Sequence, residues 1–187
     1  MMANWFIGLP VGAERWFSRL VADAPDGVRV FHPDDLHATV AFLGGCGPDR
    51  AQRAWATADR LGSSSFGVAL GGLKALGNPR RPSALSVVID QGQRQAAALI
   101  ESLRAPMVEA AGARPDPRPP LPHITVARLG RKATARQRRD ALSWVESTPP
   151  VGAELTIDRL CLYTWADDRS IRQFRKVEEH RLDWRPS

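Results

Sequence analysis

The chain has 187 residues, 43% of them hydrophobic and 25% charged, a balance that excludes a chain dominated by disorder and suits one domain, or two small lobes sharing a cleft. Its net charge of +6 favours an anionic partner, nucleic acid or a phosphate ester, over an acidic one. The competing bland explanation is arginine-rich codon usage, since only Lys74, Lys132 and Lys176 are lysines.

The predicted elements run as follows. Residues 5–10 form a short apolar strand ended by Pro10, and 13–22 an amphipathic helix with Trp16, Phe17, Leu20 and Val21 inward. After a Pro25-Asp26-Gly27 turn, 28–31 make a short edge strand, and Pro33-Asp34-Asp35 leads into a strand over 36–43. Gly44 to Pro48 breaks the chain. Asp49 and Gln52 are spaced as a capping box and open a helix to about Leu61, followed by a loop over 62–65. Residues 66–73 form a strand weakened by glycines, and 77–82 a turn. The order then restarts: an apolar strand at 85–90, and a helix at 94–112 expected to kink or break at Pro106. Residues 114–122 hold five prolines and read as a stiff loop. A strand follows at 122–129, then a helix opened by a Thr134/Gln137 capping box and stopped by Thr148-Pro149-Pro150. A strand at 154–165 and its antiparallel partner within 171–181, joined across Asp167-Asp168, complete the chain.

The strand at 36–43 reads Leu-His-Ala-Thr-Val-Ala-Phe-Leu, and the strand at 122–129 reads Pro-His-Ile-Thr-Val-Ala-Arg-Leu. Both are His-x-Thr-Val-Ala-x-Leu-Gly, and alternation along a strand puts His37 beside Thr39 and His123 beside Thr125. The repeated order of elements predicts a duplicated, pseudo-twofold unit with halves about 1–80 and 81–187, which brings the two motifs to one central groove.

Two histidines across one phosphorus can divide general base and general acid work, while two threonine hydroxyls donate to the non-bridging oxygens. Neither motif has a carboxylate cluster, Asp34 and Asp35 apart, so no metal and no cofactor is expected. His32 and His37 lack third and fourth ligands for a metal, and His32 and His180 read as surface residues. Gly44-Gly45-Cys46-Gly47 lacks the Lys-Ser/Thr of a P-loop. Cys46 and Cys161 form no C-x-x-C pair and read as reduced thiols of a cytoplasmic protein; no signal peptide or transmembrane span is expected from Met1 to Pro10.

With these residues in hand, the chain resembles the 2H phosphoesterase superfamily, marked by two such His-x-Thr/Ser motifs. "LHATVAFLG" and "PHITVAR" resemble in particular the bacterial LigT-like RNA 2′,3′-cyclic phosphodiesterases of the 2′-5′ RNA ligase family. The resemblance runs from Trp5 to near Trp165. It implies an α+β fold, bilobal and duplicated, with two antiparallel sheets facing a central groove and helices outside. It implies metal-independent hydrolysis of RNA 2′,3′-cyclic phosphate ends to 2′-phosphomonoesters by a monomer. His37 and His123 match the catalytic histidines, Thr39 and Thr125 the phosphate-holding hydroxyls, and Arg128 the substrate-binding arginine. Strict alternation, however, puts Arg128 on the face opposite His123, so that it has to reach the site from a strand end or not at all. At Phe42, the equivalent place in the first motif, a core role competes with stacking on a substrate base. Tyr163 and Trp165 are further stacking candidates. Arg131, Lys132, Arg136, Arg138 and Arg139 extend the basic run after Arg128 as an RNA guide or as a solvated helix face. Alternatives left open are 2′-5′ RNA ligation, a small cyclic nucleotide as substrate, and an RNA-binding protein that no longer turns over.

Overall fold

The computed structural model describes residues 2–58, 64–78 and 81–183. The elements are β1 (Trp5–Pro10), α1 (Glu14–Val21), β2 (Val28–Val30), β3 (His37–Gly44), α2 (Pro48–Trp55), β4 (Phe66–Asn78), β5 (Arg81–Ile89), α3 (Gln93–Ala110), β6 (His123–Leu129), α4 (Ala135–Ser147), β7 (Glu154–Ile157), β8 (Arg159–Trp165) and β9 (Phe174–Arg181). A 3-10 turn, Pro33–Asp35, precedes β3.

The strands form two four-stranded antiparallel leaves, β9-β8-β1-β3 and β6-β5-β4-β7, laid edge to edge in one strand order. Between β3 and β6 a single residue pair, Ala38 opposite Ile124, joins the leaves. β2 covers the other end of that edge of β6, pairing Val28, Arg29 and Val30 with Leu129, Arg128 and Ala127. The α+β fold with two antiparallel sheets is therefore present, its sheets linked at the motif strands. The chain does not fill one leaf and then the other: β4 lies beside β5, and β8 beside β1.

One apolar core holds strand and helix residues together. Val40, Leu43, Ile124 and Val126 share it with Ile100, Leu103 and Met107, and α3 lies against β3. These aliphatic side chains are 5% exposed or less, so each contributes the full transfer of its hydrocarbon from water, roughly 1.5–3 kcal/mol.

Several sequence expectations change. The strand expected at 154–165 is two strands in different leaves: β7 pairs β4 and β8 pairs β1, with Asp158 between them. The burial pattern changes there, from alternating in β7 to almost wholly buried in β8. The glycine-weakened strand runs on to Asn78, and Gly71 and Gly72 fall at a register shift against β5, where an extra residue is absorbed. Pro106 lies inside an uninterrupted 18-residue helix. The Asp49/Gln52 capping box does not form: Gly47, at φ 83°, is the N-cap, Pro48 starts α2, and Asp49 sits in the first turn, where it favours the helix dipole. The Thr134/Gln137 box does form, with Thr134 Oγ1 accepting from Gln137 N at 3.2 Å and Gln137 Oε1 accepting from Thr134 N at 2.9 Å. The expected end of the second helix near Leu61, residues 62 and 63 of the 62–65 loop, and Pro79 and Arg80 of the hairpin turn lie outside the described residues.

Candidate active site

The one pair joining the leaves connects the middle residues of the two His-x-Thr motifs. Ala38 and Ile124 are wholly buried on the core face, so His37, Thr39, His123 and Thr125 stand together on the other face.

Both histidines are held alike. His37 Nδ1 lies 2.6 Å from the carbonyl of Asp35, and His123 Nδ1 lies 2.6 Å from the carbonyl of Leu121. A carbonyl only accepts, so Nδ1 carries the hydrogen in both rings, and Nε2 is the nitrogen free for proton exchange. Among the described residues no side-chain acid orients either ring; the chain two residues upstream does.

Both motif strands carry a bulge at matching places, and β3 has a second register shift, at Leu43 between Phe42 and Gly44. Along β3, Thr39 pairs with Gly8 and Ala41 with Ile7, leaving Val40 extra; along β6, Thr125 pairs with Ser86 and Ala127 with Leu85, leaving Val126 extra. An extra residue reverses the alternation beyond it. Arg128 therefore returns to the face of Thr125, and Phe42 to that of Thr39. Strict alternation at Arg128 is thus corrected, and the core reading of Phe42 is too, since the residue is 58% exposed.

A groove of about 680 Å³ is lined by Thr39 and Phe42 of β3, His123, Thr125 and Arg128 of β6, Arg104 of α3, and Arg114 and Arg118 of the proline-rich loop. His37 stands beside this lining, half-buried on an aromatic bed. The Phe6 ring stacks on it with centroids 4.5 Å apart, Tyr163 lies at 5.3 Å, and Phe174 meets it edge-on at 5.5 Å. Burial pushes the His37 pKa down to about 4, and the charges of His123 and Arg128 push the same way, while the Asp35 carbonyl opposes them. Arg128 has its own pKa lowered by partial burial.

Tyr163 is 1% exposed and stacks on Phe6 at 4.8 Å, so it does not reach the groove; it supports the bed under His37. Trp165 lies under the Arg169 guanidinium, 4.3 Å from the ring centre. Arg131, Lys132, Arg136, Arg138 and Arg139 do not line the groove; Arg136 pairs with Asp140 along α4, and Arg138 donates to the Gly130 carbonyl. His32 caps the 3-10 turn by accepting from Asp34 N. Among the described residues no group of three or more His, Cys, Asp or Glu is placed to hold a metal ion, and no helix is long and apolar enough to cross a membrane.

Three supporting residues escaped sequence reasoning. Asp35 is 1% exposed, and its carboxylate accepts from the backbone N–H groups of Gln173 at 2.7 Å and Phe174 at 3.0 Å, fixing the start of β9 against the motif. Ser86, wholly buried, hydrogen-bonds Thr125 through the hydroxyls at 3.1 Å. Gly8 stands opposite Thr39, where a Cβ would come 3.2 Å from His37 Cδ2 and 3.1 Å from the Ala38 carbonyl oxygen. Asp35 adjoins the motif in sequence; Ser86 and Gly8 are marked only by strand register.

The 2′-5′ RNA ligase superfamily model matches residues 12–169. An RNA 2′,3′-cyclic phosphodiesterase from Geobacillus stearothermophilus is 33% identical over 171 residues, covering 86% of this chain; the chain spans about half that relative's length, 52%. Among solved structures, a phosphoesterase superposes with TM-score 0.75 at 22% identity, covering 98% of this chain and 99% of its own. E. coli LigT complexed with 3′-AMP has TM-score 0.75 at 21% identity, with 97% and 99% covered. A Thermus thermophilus protein has TM-score 0.74 at 21% identity, with 97% and 98% covered. At these identities the structures speak for the fold.

Proposed function

Because the chain belongs to the 2′-5′ RNA ligase superfamily, as a LigT-like 2H phosphoesterase, we propose that it hydrolyses the 2′,3′-cyclic phosphate ends of RNA to 2′-phosphomonoesters. The single observation that carries this reading is the paired geometry: two imidazoles, each with Nδ1 tied to a carbonyl, on one face of adjoining strands with a threonine beside each.

His37 is the general base. Its ring is kept neutral by burial, so Nε2 is able to take a proton from water as the water oxygen attacks phosphorus. The phosphorus–O3′ bond breaks, and the leaving oxygen needs a proton. That leaves His123, facing the groove, as the general acid. The products are a 2′-phosphate and a free 3′-hydroxyl. Thr39 and Thr125 donate to the non-bridging oxygens, with Ser86 donating to Thr125 Oγ1 so that the Thr125 hydrogen is free for the phosphate, and Arg128 offsets charge on the phosphorane-like transition state. Phe42 offers the terminal base an exposed ring on which to stack.

The test is product identification on an RNA oligomer ending in a 2′,3′-cyclic phosphate, in buffer containing EDTA. A 2′-phosphate is expected. A 3′-phosphate reverses the assignment of the leaving oxygen. Activity that EDTA abolishes and zinc or manganese restores overturns the metal-free mechanism.

A further inference from the structure

Among the described residues, four arginines line the groove, Arg104, Arg114, Arg118 and Arg128, but only one carboxylate, Asp116. That carboxylate is fully engaged by Arg118, taking its Nε at 2.8 Å, an Nη at 2.7 Å and its backbone N–H at 3.1 Å. The other three make no ion pair among the described residues. Arg128 acts at the histidines, since His37 feels its charge. A cyclic phosphate carries one negative charge, so it leaves Arg104 and Arg114 without an ion pair among the described residues, Arg104 only acting at longer range on the Asp116 carboxylate that Arg118 holds. Arg104 is also fixed in place: one of its guanidinium nitrogens donates to the Arg118 carbonyl at 2.9 Å, docking the stiff proline-rich loop on α3. A guanidinium held at one nitrogen, with its remaining donors free beside a groove, is pre-organised for a phosphate oxygen.

We propose that Arg104 and Arg114 form a second phosphate subsite that takes the phosphodiester on the 5′ side of the terminal nucleotide. This rests on reading the groove as the cyclic phosphate site. It makes the enzyme a reader of RNA ends over free cyclic mononucleotides, through α3 and the proline-rich loop, with no part for the basic run at 131–139.

Three ligands test it: adenosine 2′,3′-cyclic phosphate, the same nucleotide bearing a 5′-phosphate, and a dinucleotide ending in the cyclic phosphate. The first has one phosphate; the others have two. In Arg114→Gln and Arg104→Gln, KM for both two-phosphate ligands should rise on the order of tenfold, and its salt slope should fall by about one. KM for the one-phosphate ligand should stay within about twofold. Arg104→Lys, which keeps the charge and is able to donate to the Arg118 carbonyl, should recover most of the loss. Arg114→Gln disturbs no such loop contact, so it carries the test if Arg104→Gln shifts the loop. Equal changes for all three ligands, no change for the two-phosphate ligands, or a change confined to the dinucleotide overturns the subsite. Calorimetric binding of the matching 2′-phosphate products needs no turnover and separates the two readings. If no ligand is hydrolysed but the variants still lose affinity only for two-phosphate products, the proposed reaction falls and the subsite stands. If all three are hydrolysed and no variant discriminates, the subsite falls and the reaction stands.

Discussion

β3 and β6 carry the same motif, the same bulge and the same carbonyl-bound histidine, yet they rest on different ground. Under His37 lie Phe6, Tyr163 and Phe174, and its pKa is pushed down to about 4. His123 opens instead onto the arginine-lined groove beside the proline-rich loop. The residue two before each histidine shows the same divergence. Asp35 and Leu121 both give a carbonyl to Nδ1, but the Asp35 side chain is buried and grips β9, while Leu121 is 45% exposed. Matching backbone geometry thus holds two imidazoles by Nδ1 on one face of the adjoining strands, and in the proposed mechanism the unlike surroundings divide the base's work from the acid's.

The symmetric part of this comparison is broken by removing either ring. His37→Ala and His123→Ala should each lose on the order of 10²–10⁴-fold in kcat/KM on a cyclic-phosphate substrate. Because the two act on one transfer, the double variant should be little worse than either single one. Steady-state assays of the three variants check this; near-normal turnover in either single variant rejects the two-histidine mechanism.

The asymmetric part is broken next at Asp35. Asp35→Ala keeps the carbonyl that holds His37 but leaves two backbone N–H groups at the start of β9 without their acceptor. A loss of roughly 1–3 kcal/mol per unpaired group is expected, read as a lowered denaturation midpoint in urea. The matching change in the other leaf, Leu121→Ala, removes an exposed side chain and should fall within about 0.5 kcal/mol. Equal losses at the two positions would mean that Asp35 holds nothing.

A smaller effect sharpens the role of the aromatic bed. The neutral form of a base with a lowered pKa persists above that pKa, so activity should hold at moderately acid pH and fall only as pH drops through about 4. The same group makes the folded state refuse a proton that the unfolded chain binds near 6.5. Stability should therefore be fully present above that value and decline as pH falls from about 6.5 to about 4. Phe6→Leu thins the bed and admits water. In a proton NMR titration the His37 midpoint should rise toward the ordinary histidine value, and the acid limb of the rate profile should rise with it. An unmoved midpoint would show that stacking does not set the base.

Much of this site was legible in the sequence because it lives in short-range pattern. The two His-x-Thr stretches, their strand character and the Thr134/Gln137 cap all depend on neighbours within a few residues. What was not legible depends on partners far along the chain. Nothing in Thr-Val-Ala-Arg announces that Val126 will be the extra residue against β5, yet that bulge decides whether Arg128 faces the groove. Nothing near Asp158 shows that β7 and β8 will join different leaves, or near Asp35 that its carboxylate will meet Gln173. Tyr163 looked available for stacking because its strand ends near the site; Phe6, Phe174, Cys161 and the histidine bury it.

The smallest expected effect lies in the residues opposite the two threonines. Ser86 stands across from Thr125 and Gly8 across from Thr39. The buried Ser86 hydroxyl lies 3.1 Å from Thr125 Oγ1, and when Ser86 donates, the threonine hydrogen is left for a phosphate oxygen, whereas Thr39 is exposed and faces Gly8 across the ladder. If the threonines share the phosphate oxygens equally, this difference is idle. If Thr125 carries more of the developing charge, Ser86→Ala should matter: one hydrogen bond is worth about 1 kcal/mol, or roughly fivefold in kcat with KM little changed. Ser86→Gly, which makes the second leaf match the first, should act alike. Thr39→Ser keeps a hydroxyl at a place where no neighbour orients it and should stay within about twofold. A Ser86→Ala enzyme with unchanged kcat would assign the hydroxyl to packing between β5 and β6. A loss confined to KM would mean that Thr125 holds the ground-state phosphate and does not distinguish the transition state.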